Sequence, residues 1–313
     1  MIEVKNLVKD YYGNVAVNGL SFTVEAGEIV GFLGPNGAGK STTMNIITGY
    51  ISATEGHAIV NGYDVFDEPE KAKKSIGYLP EQPPLYLEMM VKEYLMFVAE
   101  LKKVKKSERA TMIADIMELT KIADVSGRLI KHLSKGYRQR VGLAAAIVGY
   151  PEILILDEPT VGLDPNQIIE IRELIKSLSK KHTILLSSHI MQEVDAVCDK
   201  IIIINKGELV AYDTPANIAK VMEESRELIV TVKGGEPQVR PAIDTIGGIK
   251  EIKYETDIDK VIIRIKMEEN VDVREAVSCA LMDIRCPILE MRLHEVSLEE
   301  IFLNLTGANK EAE

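Results

Sequence analysis

No run of apolar residues in this 313-residue chain approaches the roughly 18 that a membrane span requires, the longest candidate being Leu143 to Val148. The opening Met1-Ile-Glu-Val-Lys-Asn-Leu7 lacks the layout of a secretory signal, so the expected location is the cytosol. Cysteine is scarce as well. Cys198, Cys279 and Cys286 have neither metal-binding spacing nor an even disulfide framework, and are read as buried thiols. A basic surplus is also missing. The formal net charge is −11, with most of the acidic excess after residue 220, which argues against nucleic acid as a partner. The local exception, Lys102, Lys103, Lys105 and Lys106, is read as a solvated helix end in preference to a lipid contact. What is present is 46% hydrophobic residues, enough for the two cores that a chain of this length is expected to build.

The most informative stretch is Gly34-Pro35-Asn36-Gly37-Ala38-Gly39-Lys40-Ser41-Thr42, between the apolar run Glu28–Leu33 and a helix-like run ending near Gly49. The spacing G-x-x-x-x-G-K-[ST] lets successive backbone N–H groups turn inward toward phosphate oxygens. Lys40 would supply a mobile charge, Ser41 a hydroxyl for Mg²⁺, and the following helix its positive end. Upstream, Ile2–Leu7 and Leu20–Val24 alternate as half-buried antiparallel strands around a turn at Tyr12-Gly13-Asn14, where Tyr12 is placed to stack on a purine.

Ile76–Leu79 reads as a strand stopped by Pro80, and Glu81 to Met90 as a loop with apolar tips. From Val91 to about Ile122 the spacing is helical, predicting a separate helical lobe over about 91–150. Leu133-Ser134-Lys135-Gly136-Tyr137 leads into another helix, with Ser134 placed to cap its first turn. Ile153 to Leu156 is a fully apolar strand ending in Asp157 and Glu158. Two acids delivered to the carboxyl edge of a parallel sheet are costly unless they bind something. The division of labour expected is that Asp157 holds a Mg²⁺ shell while Glu158 orients and deprotonates water. A second buried strand, Thr183–Ser188, ends at His189 on the same sheet edge, within reach of a γ-phosphate. After about residue 220 the order changes to β-α-β-β-α-β, the split βαβ pattern of ferredoxin-like domains. A last helix is expected from a capping box at Ser297 and Glu300.

Over residues 1–220 these motifs, in this order, resemble the ATP-binding subunit of an ABC transporter. The resemblance implies an α/β P-loop NTPase with an antiparallel β flap and a helical lobe, followed at 221–313 by a ferredoxin-like α+β domain such as ABC-2 exporter ATPases carry. It assigns Gly34 to Thr42 as the Walker A loop, Tyr12 as the adenine-stacking ring, and Ser134 to Tyr137 as the signature that closes on a partner's ATP. Asp157 becomes the Walker B acid, Glu158 the catalytic glutamate, Gly162 to Pro165 the D-loop and His189 the switch histidine. ATP and Mg²⁺ are implied, as are a second copy of the chain or a homologous ATPase, a separate polytopic permease, and residence at the inner face of the cell membrane.

Two departures stand out. The usual Leu-Ser-Gly-Gly-Gln is Leu133-Ser-Lys-Gly-Tyr137, which keeps the serine and one glycine; and where the family carries a Mg²⁺-sensing glutamine this chain has Glu81, with Gln82 one place later. Shorter stretches, Ile76 to Glu81 and Leu133 to Tyr137, are similar to gliding-motility-associated subunits. The alternative class, a soluble ABC ATPase acting on ribosomes or DNA, fits poorly with a single cassette, no heptad run and an acidic balance.

Overall fold

The computed structural model describes residues 1–218, 227–257, 259–268 and 271–294. The helix expected from Ser297 onward lies outside them. The chain divides into two compact units between Pro215 and Ala216.

In the first unit, β1 (Ile2–Tyr11) and β2 (Asn14–Val24) form a hairpin. Its two-residue turn puts Tyr12 and Gly13 at φ +54° and +94°, and the Asp10 carboxylate accepts from Gly13 N–H at 2.7 Å. The fully buried β3 (Ile29–Leu33) follows, then α1 (Lys40–Ile47). Next come β4 (Glu55–Val60), β5 (Tyr63–Asp64), α2 (Pro69–Lys74) and β6 (Ile76–Leu79). The helical segment holds α3 (Val91–Leu101), α4 (Lys106–Leu119) and α5 (Lys135–Ile147). The chain then runs through β7 (Ile153–Leu156), α6 (Pro165–Leu178), β8 (Thr183–Ser188), α7 (Met191–Asp195), β9 (Lys200–Asn205) and β10 (Glu208–Asp213).

Two sheets result. The flap is antiparallel with order β2-β1-β4-β5; the second has order β10-β9-β3-β8-β7-β6. Within the second, β9, β3, β8, β7 and β6 are parallel and β10 is an antiparallel edge. Strands buried on both faces tolerate only apolar side chains, which is why β3 and β7 read as unbroken apolar runs. One core joins the sheets, with Val4, Leu20 and Phe22 of the flap packing among Phe32, Met44, Ile155 and Ile202. Because β3, β7 and β8 are neighbours and parallel, the residues that follow each strand emerge at one edge.

Two expectations for this unit are corrected. Lys102 is not simply a solvated end: its stem is exposed, but its ammonium donates to the carbonyls of Ala145, Ala146 and Val148 at 3.2, 2.9 and 2.8 Å, closing the end of α5. Leu101, which continues the helical apolar spacing read from Val91 onward, is 63% exposed at the last position of α3.

In the second unit, β11 (Glu227–Lys233), α8 (Glu236–Ile243), β12 (Ile249–Asp257), β13 (Lys260–Met267), α9 (Arg274–Asp283) and β14 (Ile288–His294) follow in order. The antiparallel sheet order β12-β13-β11-β14 is that of a split βαβ unit. Leu228, Val230 and Val232 pack against Val239, Ile243, Val277 and Leu281. Cys286 is buried here and Cys198 in the first unit, but Cys279 is exposed on α9, because the helix buries the stripe marked by Val277 and Leu281 instead.

Candidate active site

Between β3 and α1 the chain turns through Gly34 to Gly39. Gly39 has φ +102°, and a Cβ there would stand 2.4 Å from the backbone oxygen of Ala16, so no side chain fits. With glycine as N-cap, no side chain closes the first turn of α1, and no acid occupies it. Its leading N–H groups and the positive end of its dipole are thus left for an anion. Gly34 and Ala38 are buried, Pro35 and Thr42 half-buried, and Asn36, Gly37 and Ser41 exposed.

Lys40, the first residue of α1, is 6% exposed. Its ammonium donates to the carbonyls of Gly34 at 2.7 Å and Pro35 at 3.2 Å, and lies 3.7 Å from Glu158 Oε1. Asp157 and Glu158 leave β7 at 3% and 7% exposure. Both buried acids are partnered, as their desolvation demands. Ser187 Oγ donates to Asp157 Oδ1 at 2.5 Å, and His189 Nδ1 lies 3.0 Å from Glu158 Oε2. Glu158 sits at φ +47°, a left-handed backbone costing a non-glycine residue roughly 1–2 kcal/mol, and its N–H donates to Ser187 Oγ at 2.8 Å. The Glu158 carboxylate is therefore held between a buried ammonium and a half-exposed imidazole.

Behind this row is a second one. Glu193, 7% exposed on α7, accepts from Thr160 Oγ1 at 2.6 Å and Ser188 Oγ at 2.9 Å, tying the loop after β7 to the turn that carries His189. Sequence reasoning passed over Ser187 and Glu193. The available signal was a Ser-Ser pair ending an otherwise apolar buried strand, since hydroxyls there require partners.

The other predicted residues lie apart from this cluster. Ser134 caps α5, accepting from Tyr137 N–H at 3.4 Å, and the Tyr137 hydroxyl donates to Asp124 at 2.9 Å. Gly136 is buried against the Gln167 side chain, and the Lys135 side chain packs over Gly162. Among the described residues, no hydrogen bond or ion pair links 134–137 to the Gly34–Thr42 loop, Asp157, Glu158 or His189. Tyr12 is fully exposed at the tip of the hairpin. Glu81 and Gln82 are both exposed beyond β6, and neither makes a hydrogen bond among the described residues.

A glycine loop joining a central parallel strand to a helix, with buried acids at the end of a nearby strand, defines a P-loop nucleotide-binding protein. The ABC transporter family model matches residues 17–161. The chain is 33% identical to the linearmycin resistance ATP-binding protein LnrL of Bacillus subtilis, over 98% of each chain. It is also 33% identical to the Nod factor export ATP-binding protein I of Rhizobium leguminosarum bv. viciae, over 99% of this chain and 96% of that one. Among solved structures, an ATP-binding cassette in a dimeric post-hydrolysis state with ADP and Pi matches with TM-score 0.64 at 25% identity, covering 69% of this chain and 99% of that one. The chain belongs to the ATP-binding subunits of ABC transporters. It binds and hydrolyses ATP to energise transport.

Proposed function

We propose that the working unit is a head-to-tail pair, formed with a second copy or a homologous ATPase, in which each ATP lies between Gly34–Thr42 of one chain and Ser134, Lys135, Gly136 and Tyr137 of the other. Tyr12 stacks on the adenine, at the level of the hairpin tip. Lys40 exchanges its carbonyl partners for phosphate oxygens, and Glu158 orients water and takes its proton. With Nδ1 of His189 on Glu158, Nε2 is the ring nitrogen left to meet the γ-phosphate. The observation that carries this reading is the Glu158 carboxylate held between Lys40 at 3.7 Å and His189 at 3.0 Å.

The oxygen donors at this edge suit Mg²⁺, which binds one or two carboxylates and completes its shell with water and phosphate. Among the described residues no group of three His, Cys, Asp or Glu forms a ready-made cage, so the donor set is the kind that receives an ion together with a nucleotide. Asp157 and Ser41, with Glu81 or Gln82, would hold it, and it would neutralise phosphate charge.

Among the described residues no helix is long and apolar enough to cross a membrane. We place the pair at the inner face of the cell membrane, docked on its permease, and read the direction as export from the names of LnrL and the Nod factor protein. Choice of cargo is assigned to the permease. The test is Glu158→Gln. Expected are a 10²–10⁴-fold loss of ATPase rate, as for removal of a general base, and a Mg-ATP-dependent dimer in light scattering that co-purifies with a polytopic membrane protein. Retained hydrolysis would remove Glu158 from its role; a monomer in Mg-ATP would end the head-to-tail reading; a dimer without a membrane partner would end the export reading.

A further inference from the structure

β8 is apolar from Ile184 to Leu186 and then carries Ser187, which is 0% exposed. Leu156 of β7 pairs in parallel with Leu186, so one step further along the chain Asp157 stands beside Ser187. The Ser187 hydroxyl has one proton and directs it at Asp157 Oδ1 at 2.5 Å; the same oxygen accepts the Glu158 N–H at 2.8 Å. A single oxygen thus touches the side chain of one acid and the backbone of the next. Among the described residues the Asp157 side chain makes no other hydrogen bond, so this contact decides which carboxylate oxygen is turned away from β8. The contact to Glu158 anchors a residue at φ +47°, a conformation that persists only when its surroundings hold it. The direction of the Glu158 side chain, toward Lys40 and His189, follows from that backbone angle.

We propose that Ser187 is a positioning residue for ATP hydrolysis, fixing at once the rotamer of Asp157 and the backbone of Glu158. The inference rests on the roles given to those acids above. Losing a hydrogen bond to a charged group, together with an orphaned buried N–H, corresponds to about a 10- to 100-fold effect.

The experiment compares Ser187→Ala, Ser187→Cys and Ser187→Thr in the full-length chain, with Glu158→Gln alongside. Ser187→Ala is expected to lower kcat about 10- to 100-fold with KM for ATP within about threefold, since Lys40 and the glycine loop are untouched. Calorimetric ADP affinity without Mg²⁺ should be preserved, while the gain on adding Mg²⁺ shrinks. Ser187→Thr keeps the hydroxyl and restores kcat toward wild type; Ser187→Cys, nearly the same shape with a weak donor, falls between. Two results overturn the inference: kcat and Mg²⁺ dependence of Ser187→Ala within threefold of wild type, or a kcat ranking that follows melting temperature instead of the hydroxyl. If Glu158→Gln itself still turns over ATP, the site reading beneath has failed; if it is dead while Ser187→Ala is normal, only this inference has.

Discussion

Neutralising Glu158 is predicted to tighten nucleotide binding as well as to stop hydrolysis, and ADP separates the two effects because there is nothing to hydrolyse. Lys40 and Glu158 are both more than nine-tenths buried and 3.7 Å apart. At an effective dielectric of about 20 their gross attraction is about 4–5 kcal/mol. Lys40 also has the carbonyls of Gly34 and Pro35, which remain when the carboxylate is neutralised. A diphosphate arriving at the loop competes with Glu158 for the ammonium and is itself repelled by the carboxylate. Because Lys40 stays anchored on α1, only a part of the attraction, about a quarter to a third, is surrendered on binding, or roughly 1–1.5 kcal/mol. Glu158→Gln should then bind ADP about tenfold more tightly in calorimetry. The free protein shifts in the opposite direction, since removing one partner leaves the other charge buried. With a loss of about 1–2 kcal/mol the melting temperature of the nucleotide-free variant should fall by about 3–6 °C, and the ADP-induced rise should exceed that of wild type. An ADP affinity equal to or weaker than wild type, with an unchanged melting temperature, would mean that the Lys40–Glu158 attraction is energetically empty.

Two further outcomes follow from local geometry. Gly39→Ala meets a backbone oxygen at 2.4 Å at φ +102°, whereas Gly136→Ala meets only the end of the flexible Gln167 side chain; the first should cost about 2–5 kcal/mol in denaturant unfolding and the second less than about 1. In native thiol titration Cys279, exposed on α9, should react first, while Cys198 and Cys286, buried and with their thiol pKa values pushed up by desolvation, should wait for unfolding. Equal rates for all three would contradict the burial of the slow pair.

Much of the active edge was legible because its constraints are local and severe. A loop that must present N–H groups needs Gly37 and Gly39; a strand buried on both faces must be apolar up to the position where it delivers Asp157 and Glu158. Long-range partners were not legible. Nothing in the spacing of Lys102 indicates that its ammonium will meet carbonyls more than 40 residues away. Ser187 could be read as a buried strand residue, but its pairing with Asp157 depends on the register of β7 against β8, which no local pattern specifies. Cys279 was misread for a related reason: which stripe of α9 is buried depends on how the helix lies on β11 and β13, and its neighbours Ser278 and Ala280 are small enough to suit either side.

Helix polarity offers a criterion that motif matching does not use. Helices α3 and α4 carry acids in their first turns, Glu93 and Glu108, which satisfy the positive end of each dipole within the chain itself. Helices α1 and α5 have none there, nor the acidic N-cap that Asp164 gives α6, whose first turn is likewise free of acids. In α5 the asymmetry goes further, because the Lys102 ammonium sits on the last carbonyls and answers the negative end. Its opposite end, at Ser134, keeps its positive field with only a serine hydroxyl as cap. These two helices, whose first turns carry no acid, are the ones that the proposed head-to-tail pair would aim at one triphosphate, α1 from one chain and α5 from the other. An acid introduced at Lys135 would oppose that field within the first turn, where the dipole effect is strongest, while leaving the Lys40 cradle of the same chain untouched.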